Sequence, residues 1–518
     1  MAKFDPQLSR LKLPTIVKGA GILFAGHVTS RILGYAFNIL AAKKVGLKGF
    51  GLYTLGLTIL RAIVIDLPRG QSSPVVRYVS IYNAMGDGAR VKGTITFVLK
   101  TTTLISLLSL AAFLLLSDYL AARVFHQPEL SSVLRSLAFS IPFVRLSTVF
   151  LLATVGMQIM TFRTLTDDLL QPLVTLAVFL LLLLQGFRVQ ALVYAYLSSA
   201  ILGFLVAYYF FARTFAHLFS SPLFSNHEAK DIKPISESKA ISKFTLPLVV
   251  AQVFNKLRRR GDILLLGFFM PVSHVGLYTI IYKTVNALNE ISASLIGVFA
   301  PMIAPSFEKG ALPTLKSQLQ ILSRWTFSLS FPVILFALFH ANPILLVLGN
   351  QFIGGETSFI ILLLGLLFEM ITAPIGQVLT MSGKSQVTLV NTIGLGALNL
   401  ALFLIFIPKY GVQGASLAVA VSMLLLGIVR VIEGQALIGI HPFTFGYLKP
   451  LIASGVSLVI TLLIDQALPM SRYLFIGCSF ALFLSSYLAA LVLIGLDPAD
   501  RFILAKVQER LLPSKGGA

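Results

Sequence analysis

The chain has 518 residues, 56% of them hydrophobic and 12% charged, with 41 Lys+Arg against 20 Asp+Glu and a net charge of +21. Soluble domains carry about 25% charged residues, so this composition excludes a soluble globular protein and reads as an all-α polytopic membrane protein. The cationic excess then belongs to cytoplasmic loops rather than to a nucleic-acid surface, and the single cysteine, Cys478, excludes an intrachain disulfide and a cysteine-built metal site.

Segments of about 20 apolar residues span a bilayer, and about fourteen are predicted on that criterion. They fall at 15–42, 50–80, 92–117, 132–160, 164–186, 189–212, 241–270, 275–304, 320–348, 357–381, 386–408, 412–438, 445–467 and 473–496. The apolar run from Ile16 outlasts the h-region of a cleavable signal peptide. Pro68, Pro142, Pro247, Pro332, Pro343 and Pro374 are kink candidates. Trp325 and the tyrosines at span ends, such as Tyr53 and Tyr278, read as interface anchors.

The long polar connection from Arg213 to Lys243 divides the spans into six and eight. Val28–Thr54 aligns without a gap on Val253–Thr279, and both end in Gly-Leu-Tyr-Thr, at Gly51–Thr54 and Gly276–Thr279. With six spans before the second copy, both copies keep the same orientation, which makes a parallel repeat about an axis along the membrane normal. The expected organisation is an N-terminal six-helix lobe at 1–212, a cytoplasmic linker at 213–243 and a C-terminal six-helix lobe at 244–442. Two additional transmembrane helices follow at 443–496, then a cytoplasmic tail at 497–518. A cytoplasmic N-terminus puts roughly 23 Lys and Arg inside and 7 outside, so both termini are expected in the cytoplasm. Pro498–Leu512 alternates Arg501, Lys506 and Arg510 with apolar residues. It reads equally as an amphipathic surface helix or a solvated tail.

The chemically unusual stretch lies in the seventh span, where Lys256, Arg258, Arg259, Arg260 and Asp262 occupy seven positions. Each charge costs roughly 2.5–3.5 kcal/mol at a helix centre and survives only against protein or water. Lys256, Arg259 and Arg260 share a helical face, and Asp262 can neutralise Arg258 at i, i+4. Arg31 in the first span, Arg145 in the fourth and Lys283 in the eighth add further cations. The surplus over intramembrane carboxylates predicts an anionic ligand, and arginine forks match phosphate oxygens. Candidate binding residues are therefore Arg31, Arg145, Lys256, Arg258, Arg259, Arg260 and Lys283. Asp262, Glu290 and Glu369 are candidate ion-coupling carboxylates. His27, the histidine well inside a span, is either a proton-coupling group or a hydrogen-bonded structural residue. Arg61, Arg69, Lys100 and Arg135 divide evenly between function and snorkelling near an interface. The glycines in spans fit no phosphate loop, and no zinc motif, nucleophile elbow or Walker A sequence occurs. Neither a metal nor a cofactor is expected.

Several passages resemble a known family. They are Leu379–Lys384 (LTMSGK), Asn399, Ile407–Ser416 (IPKYGVQGAS), Ala191–Tyr196 (ALVYAY), and Gly261-Asp262 followed by Leu264–Gly267 and Val275–Tyr278. Together they resemble the polysaccharide and oligosaccharide-lipid flippases of the multidrug/oligosaccharidyl-lipid/polysaccharide exporter superfamily. The resemblance implies two six-helix lobes around a central cavity, alternating access, and a polyprenyl-pyrophosphate-linked saccharide as cargo. Function is then expected as a transporter flipping that lipid from inner to outer leaflet of the cytoplasmic membrane, driven by Na⁺, H⁺ or the membrane potential. Two extra C-terminal spans also resemble the lipid II flippase branch. A multidrug cation antiporter of the same superfamily is the first rival, but it would want a carboxylate-lined cavity. A membrane enzyme acting on lipid-linked sugars would need catalytic carboxylates or a large soluble domain, and a structural scaffold would not need buried cations.

Overall fold

The computed structural model describes residues 13–62, 69–220, 260–308, 310–467 and 472–495. The described residues are helical with short turns, and nine of their helices are long and apolar enough to cross a bilayer. The chain is a multi-pass membrane protein. Its residues gather into two compact units, 1–276 and 277–518.

The first unit starts with α1 (Leu13–Leu60), which bends at Gly46 (φ 85°). It continues through α2 (Arg69–Ala84), α3 (Gly88–Tyr119), α4 (Leu130–Ala138) and α5 (Ser140–Gly156). A short α6 (Thr161–Arg163) and a π-helical turn (Thr164–Leu170) lead into α7 (Gln171–Leu184) and α8 (Val189–Ser220). Residues 260–269 form α9. The centre of this unit is Val75, Val79, Ile95, Val98, Phe150, Phe211 and Phe215, contributed by α2, α3, α5 and α8. The phenyl rings run in series along the α5–α8 seam, Phe143 to Phe204 at 5.6 Å, Phe204 to Phe150 at 5.8 Å and Phe150 to Phe211 at 4.8 Å. These are normal separations for paired rings.

The second unit holds α10 (Val272–Glu308), α11 (Leu312–Phe339), α12 (Ala341–Leu348), α13 (Glu356–Met381), α14 (Ser385–Ile438), α15 (Leu448–Ala467) and α16 (Arg472–Ile494), with the first five residues of α10 grouped in the first unit. Its α13–α14 seam is close because it uses small residues, as membrane helices commonly do. A Cβ on Gly365 would stand 2.6 Å from Cα of Ala420. Ile303, Leu315, Leu319, Ile375, Val378 and Leu379 pack at one end, and Phe336, Leu458 and Phe483 join α11 to α15 and α16. Buried hydroxyls turn back onto their own helices, as Thr372 does to the Phe368 carbonyl (2.9 Å) and Ser416 to that of Val412 (3.0 Å). Lipid offers no partner, so such groups must be satisfied within the protein.

The repeat predicted from Gly-Leu-Tyr-Thr extends through the helix breaks. Gly86 and Gly310 both have positive φ (70° and 64°), as do Gln158 and Gly383 (64° and 78°) and Gly186 and Gly411 (87° and 55°). Each pair is 224 or 225 positions apart. The bend at Gly46 corresponds to the break at Pro271 between α9 and α10. Two helices merge across Gly411 into α14, which accounts for the Pro-Lys-Tyr-Gly-Val-Gln-Gly passage. Gly411 takes the positive φ of that turn, and a Cβ on Gly414 would strike the Phe406 carbonyl.

Some expectations need correction. Pro142 and Pro343 stand in the first turns of α5 and α12, where a proline removes no helical bond, while Pro332 and Pro374 lie inside helices. Pro68 and Pro247 lie outside the described residues. Tyr53 and Tyr278 are not interface anchors: both are buried. Tyr53 meets Phe37 edge-on and Tyr278 stacks on Tyr282. Each belongs to a Gly-Leu-Tyr-Thr copy, and the reason is a close crossing. A Cβ on Gly51 would collide with the carbonyl of Val272, and one on Gly276 with the carbonyl of Leu47. The two copies cross at their glycines, reciprocally, and the tyrosines two positions on are carried inward.

Candidate functional site

The predicted cationic residues occupy both units. Lys256, Arg258 and Arg259 lie outside the described residues, as does the side chain of His27. Arg260 lies on α9 and is exposed. Two residues further, Asp262 is 4% exposed, and its Oδ1 accepts a hydrogen bond from the Ile263 amide at 2.7 Å. Arg31 on α1 is exposed, whereas Arg145 on α5 is 6% exposed. In the second unit Lys283 and Glu290 on α10 and Glu369 on α13 are half-buried.

Arg145 is placed by the α5–α8 seam. Phe143 and Phe150 hold α5 against Phe204, and the Ser147 hydroxyl reaches the Gly203 carbonyl at 3.4 Å. Of the basic residues left open by the sequence, Arg61 follows α1 in a π-helical turn and lies over the Tyr196 ring at 5.6 Å. Lys100 is exposed on α3. Arg135 is bonded to Asp118 and, at 3.3 Å, to Ser117, a structural pairing at the ends of α3 and α4.

The structure brings together polar groups that the spans had concealed. In the second unit Asn391 donates to Glu433 at 2.7 Å, joining the two arms of α14, and Thr380 and Thr388 lie 3.2 Å apart. The Arg430 side chain covers Gly376, where a Cβ would stand 2.9 Å from Nε. Glu433 was marked only by its place three residues after Arg430. His340, buried at the end of α11, meets Asp465 of α15; their separation of 125 positions left no local signal. The first unit has a cavity of about 380 Å³, with a floor of Leu52, Val133 and Val193 and a rim that includes Ser132, Ser136 and Tyr194. Lys48 and Glu129 pair beside it at 2.5 Å. Among the described residues no three His, Cys, Asp or Glu side chains gather to hold a metal ion.

Chemically, this is a helical membrane protein with a buried arginine in each unit, Arg145 and Arg324, and with carboxylates paired in both. In sequence, residues 16–307 match the polysaccharide biosynthesis protein family; no curated protein matches. In fold, the chain is similar to a lipid II flippase MurJ in an inward closed conformation (TM-score 0.72, 16% identity), covering 91% of this chain and 98% of that one. It is similar to an inward-facing multidrug resistance transporter of the MATE family in the MOP superfamily (TM-score 0.62, 15% identity), covering 79% and 94%. A MOP superfamily transporter from Pyrococcus furiosus, described as having a binding pocket of reverse polarity, aligns over 82% and 95% (TM-score 0.54, 15% identity). The fold is therefore that of the MOP transporters, and by its sequence the chain belongs to the polysaccharide biosynthesis protein family.

Proposed function

We propose that the protein flips a polyprenyl-pyrophosphate-linked oligosaccharide from the inner to the outer leaflet of the cell membrane, for the assembly of a surface polysaccharide. The observation that carries this reading is Arg145, a guanidinium buried inside a helical unit of a polysaccharide biosynthesis protein. Ionisable side chains inside membrane spans mark substrate pathways, and a pyrophosphate suits the guanidinium fork. Arg31, Lys256, Arg258, Arg259, Arg260 and Lys283 extend the same electrostatic field along the lipid's path. Lobes at 1–212 and 244–442 rock against one another, with 213–243 as the linker and both termini in the cytoplasm. Asp262, Glu290, Glu369 and His27 are the candidates for coupling to Na⁺ or H⁺. The cargo passes through chemically unchanged, so the protein acts as a transporter and not as an enzyme.

A lipid II-type cargo is the second reading. It is favoured by the fold similarity to the lipid II flippase over 98% of that chain and by the α15–α16 pair. It shares the pyrophosphate and differs in the sugar. A multidrug cation antiporter is disfavoured by the sign of the buried charge.

The test is translocation in proteoliposomes of a polyprenyl-pyrophosphate disaccharide and, separately, of lipid II. Wild type is compared with Arg145→Met, Arg259→Ala and Arg260→Ala. Loss of movement in variants that still insert supports the proposal, and the faster lipid names the cargo. Movement unchanged in all three variants, or efflux of a cationic dye alone, overturns it.

A further inference from the structure

We infer that His340 and Asp465 form a proton-binding site that fastens α15 and α16 to α11. His340 Nδ1 lies 3.2 Å from the carbonyl of Phe336, and Nε2 lies 2.9 Å from Oδ2 of Asp465. The other carboxylate oxygen accepts the Ser479 hydroxyl of α16 at 2.5 Å. A carbonyl can only accept, so Nδ1 carries a hydrogen. A neutral imidazole then has a bare Nε2, which would oppose an ionised carboxylate as acceptor against acceptor. The 2.9 Å contact therefore requires one more proton, held on the ring or on the carboxyl. With the side chains only 4% and 12% exposed, water gives little help when that proton is lost.

The surroundings give the proton its leverage. The imidazole is stacked on Phe336 of its own helix at 4.2 Å, and Phe475 of α16 is 6.4 Å away. On α12, Asn342 is bonded to Glu356 of α13 at 3.0 Å, so that carboxylate is already engaged. Arg472 opens α16 one turn before Phe475. Further along α11 the contact with the C-terminal pair is independent of any proton: the Tyr487 hydroxyl donates to the Ser328 carbonyl at 2.7 Å, and Tyr447 packs on Phe327 at 5.0 Å. Among the described residues, Asp465 is thus the acidic group in contact with the ring, and the tie it makes lies at one end of the α11–α15 seam. Proton release leaves Phe336, Leu458 and Phe483 packed but opens the polar end, where α15 and α16 meet the end of α11. This site is separate from the proposed lipid path and requires no cargo.

Cys478 supplies the reporter, because it is exposed on α16 next to Ser479 and is the single cysteine of the chain. The full-length protein is spin-labelled there in lipid nanodiscs, and label mobility is followed by electron paramagnetic resonance across pH. Wild type is expected to pass from an immobile to a mobile spectrum as pH rises, in one step. Asp465→Asn supplies an amide that donates to Nε2 without a titrating proton, so it stays immobile throughout. His340→Gln removes the step as well. A wild type with no step overturns the inference, as does the same step in both variants. If His340→Gln does not fold, near-isosteric Asp465→Asn decides alone.

Discussion

The two copies of the repeat solve the same backbone problem with different residues. At the turn after α5 the first copy puts Gln158 in the left-handed region, and the second puts Gly383 at the corresponding turn after α13. At the first bend one copy uses Gly46 and the other Pro271. At the helix crossing, by contrast, both copies keep glycine, at Gly51 and Gly276. The difference teaches which constraint is hard. A turn needs a dihedral angle, which a glutamine can adopt at a cost of about 1–2 kcal/mol. A crossing needs empty space beside a carbonyl, which no side chain can supply.

The strongest way to break the comparison is at the crossing. Gly51→Leu and Gly276→Leu should each destabilise the protein by more than about 4 kcal/mol, the range reached by severe overpacking, so little monodisperse protein is recovered from detergent. Gly34→Ala, where a Cβ meets nothing within 4 Å, is the control. If only one of the two leucine variants were damaging, the reciprocal contact would be wrong. Next come the turns. Gly186→Ala forces alanine into positive φ and should cost about 1 kcal/mol, whereas Gly411→Ala should lower the thermal midpoint further, because φ 55° with ψ −123° lies outside the left-handed well open to alanine. An equal drop in the two variants would show that the turn at 411 relaxes around the new side chain. The smallest effect sharpens the comparison: Gln158→Gly should be neutral to stabilising by about 0.5 kcal/mol, since relief of αL strain is partly offset by a more flexible unfolded chain. Gly383→Gln should lower the midpoint, and a fall in both variants would show that Gln158 is kept for its side chain.

Part of this was legible in the sequence. Span count and fold class follow from apolar length, and the repeat shows at Gly-Leu-Tyr-Thr because a tight crossing preserves glycine in both copies. Most of the repeat was not legible, because a break can be met by Gly, Gln or Pro. Tyr53 and Tyr278 differ from expectation because of that crossing: their place at a span end predicts an interface, but the crossing two residues earlier in the motif turns them into the core. Of the site, the surplus of cations was visible, and so was Arg145 as a candidate. Its burial and the His340–Asp465 tie were not, since both depend on which helices become neighbours.

The crossing of Gly51 and Gly276 also has an ancestral meaning. Residue i touches j while the partner of j touches the partner of i, which is the isologous pattern of a two-fold homodimer. A half-length chain with one Gly-Leu-Tyr-Thr could pair with its own copy through this contact, and every mutation there would strike the interface twice. Fusion of the halves into one chain halves that burden. It also lets one half carry features that the other does not share, as α15 and α16 follow the second half alone.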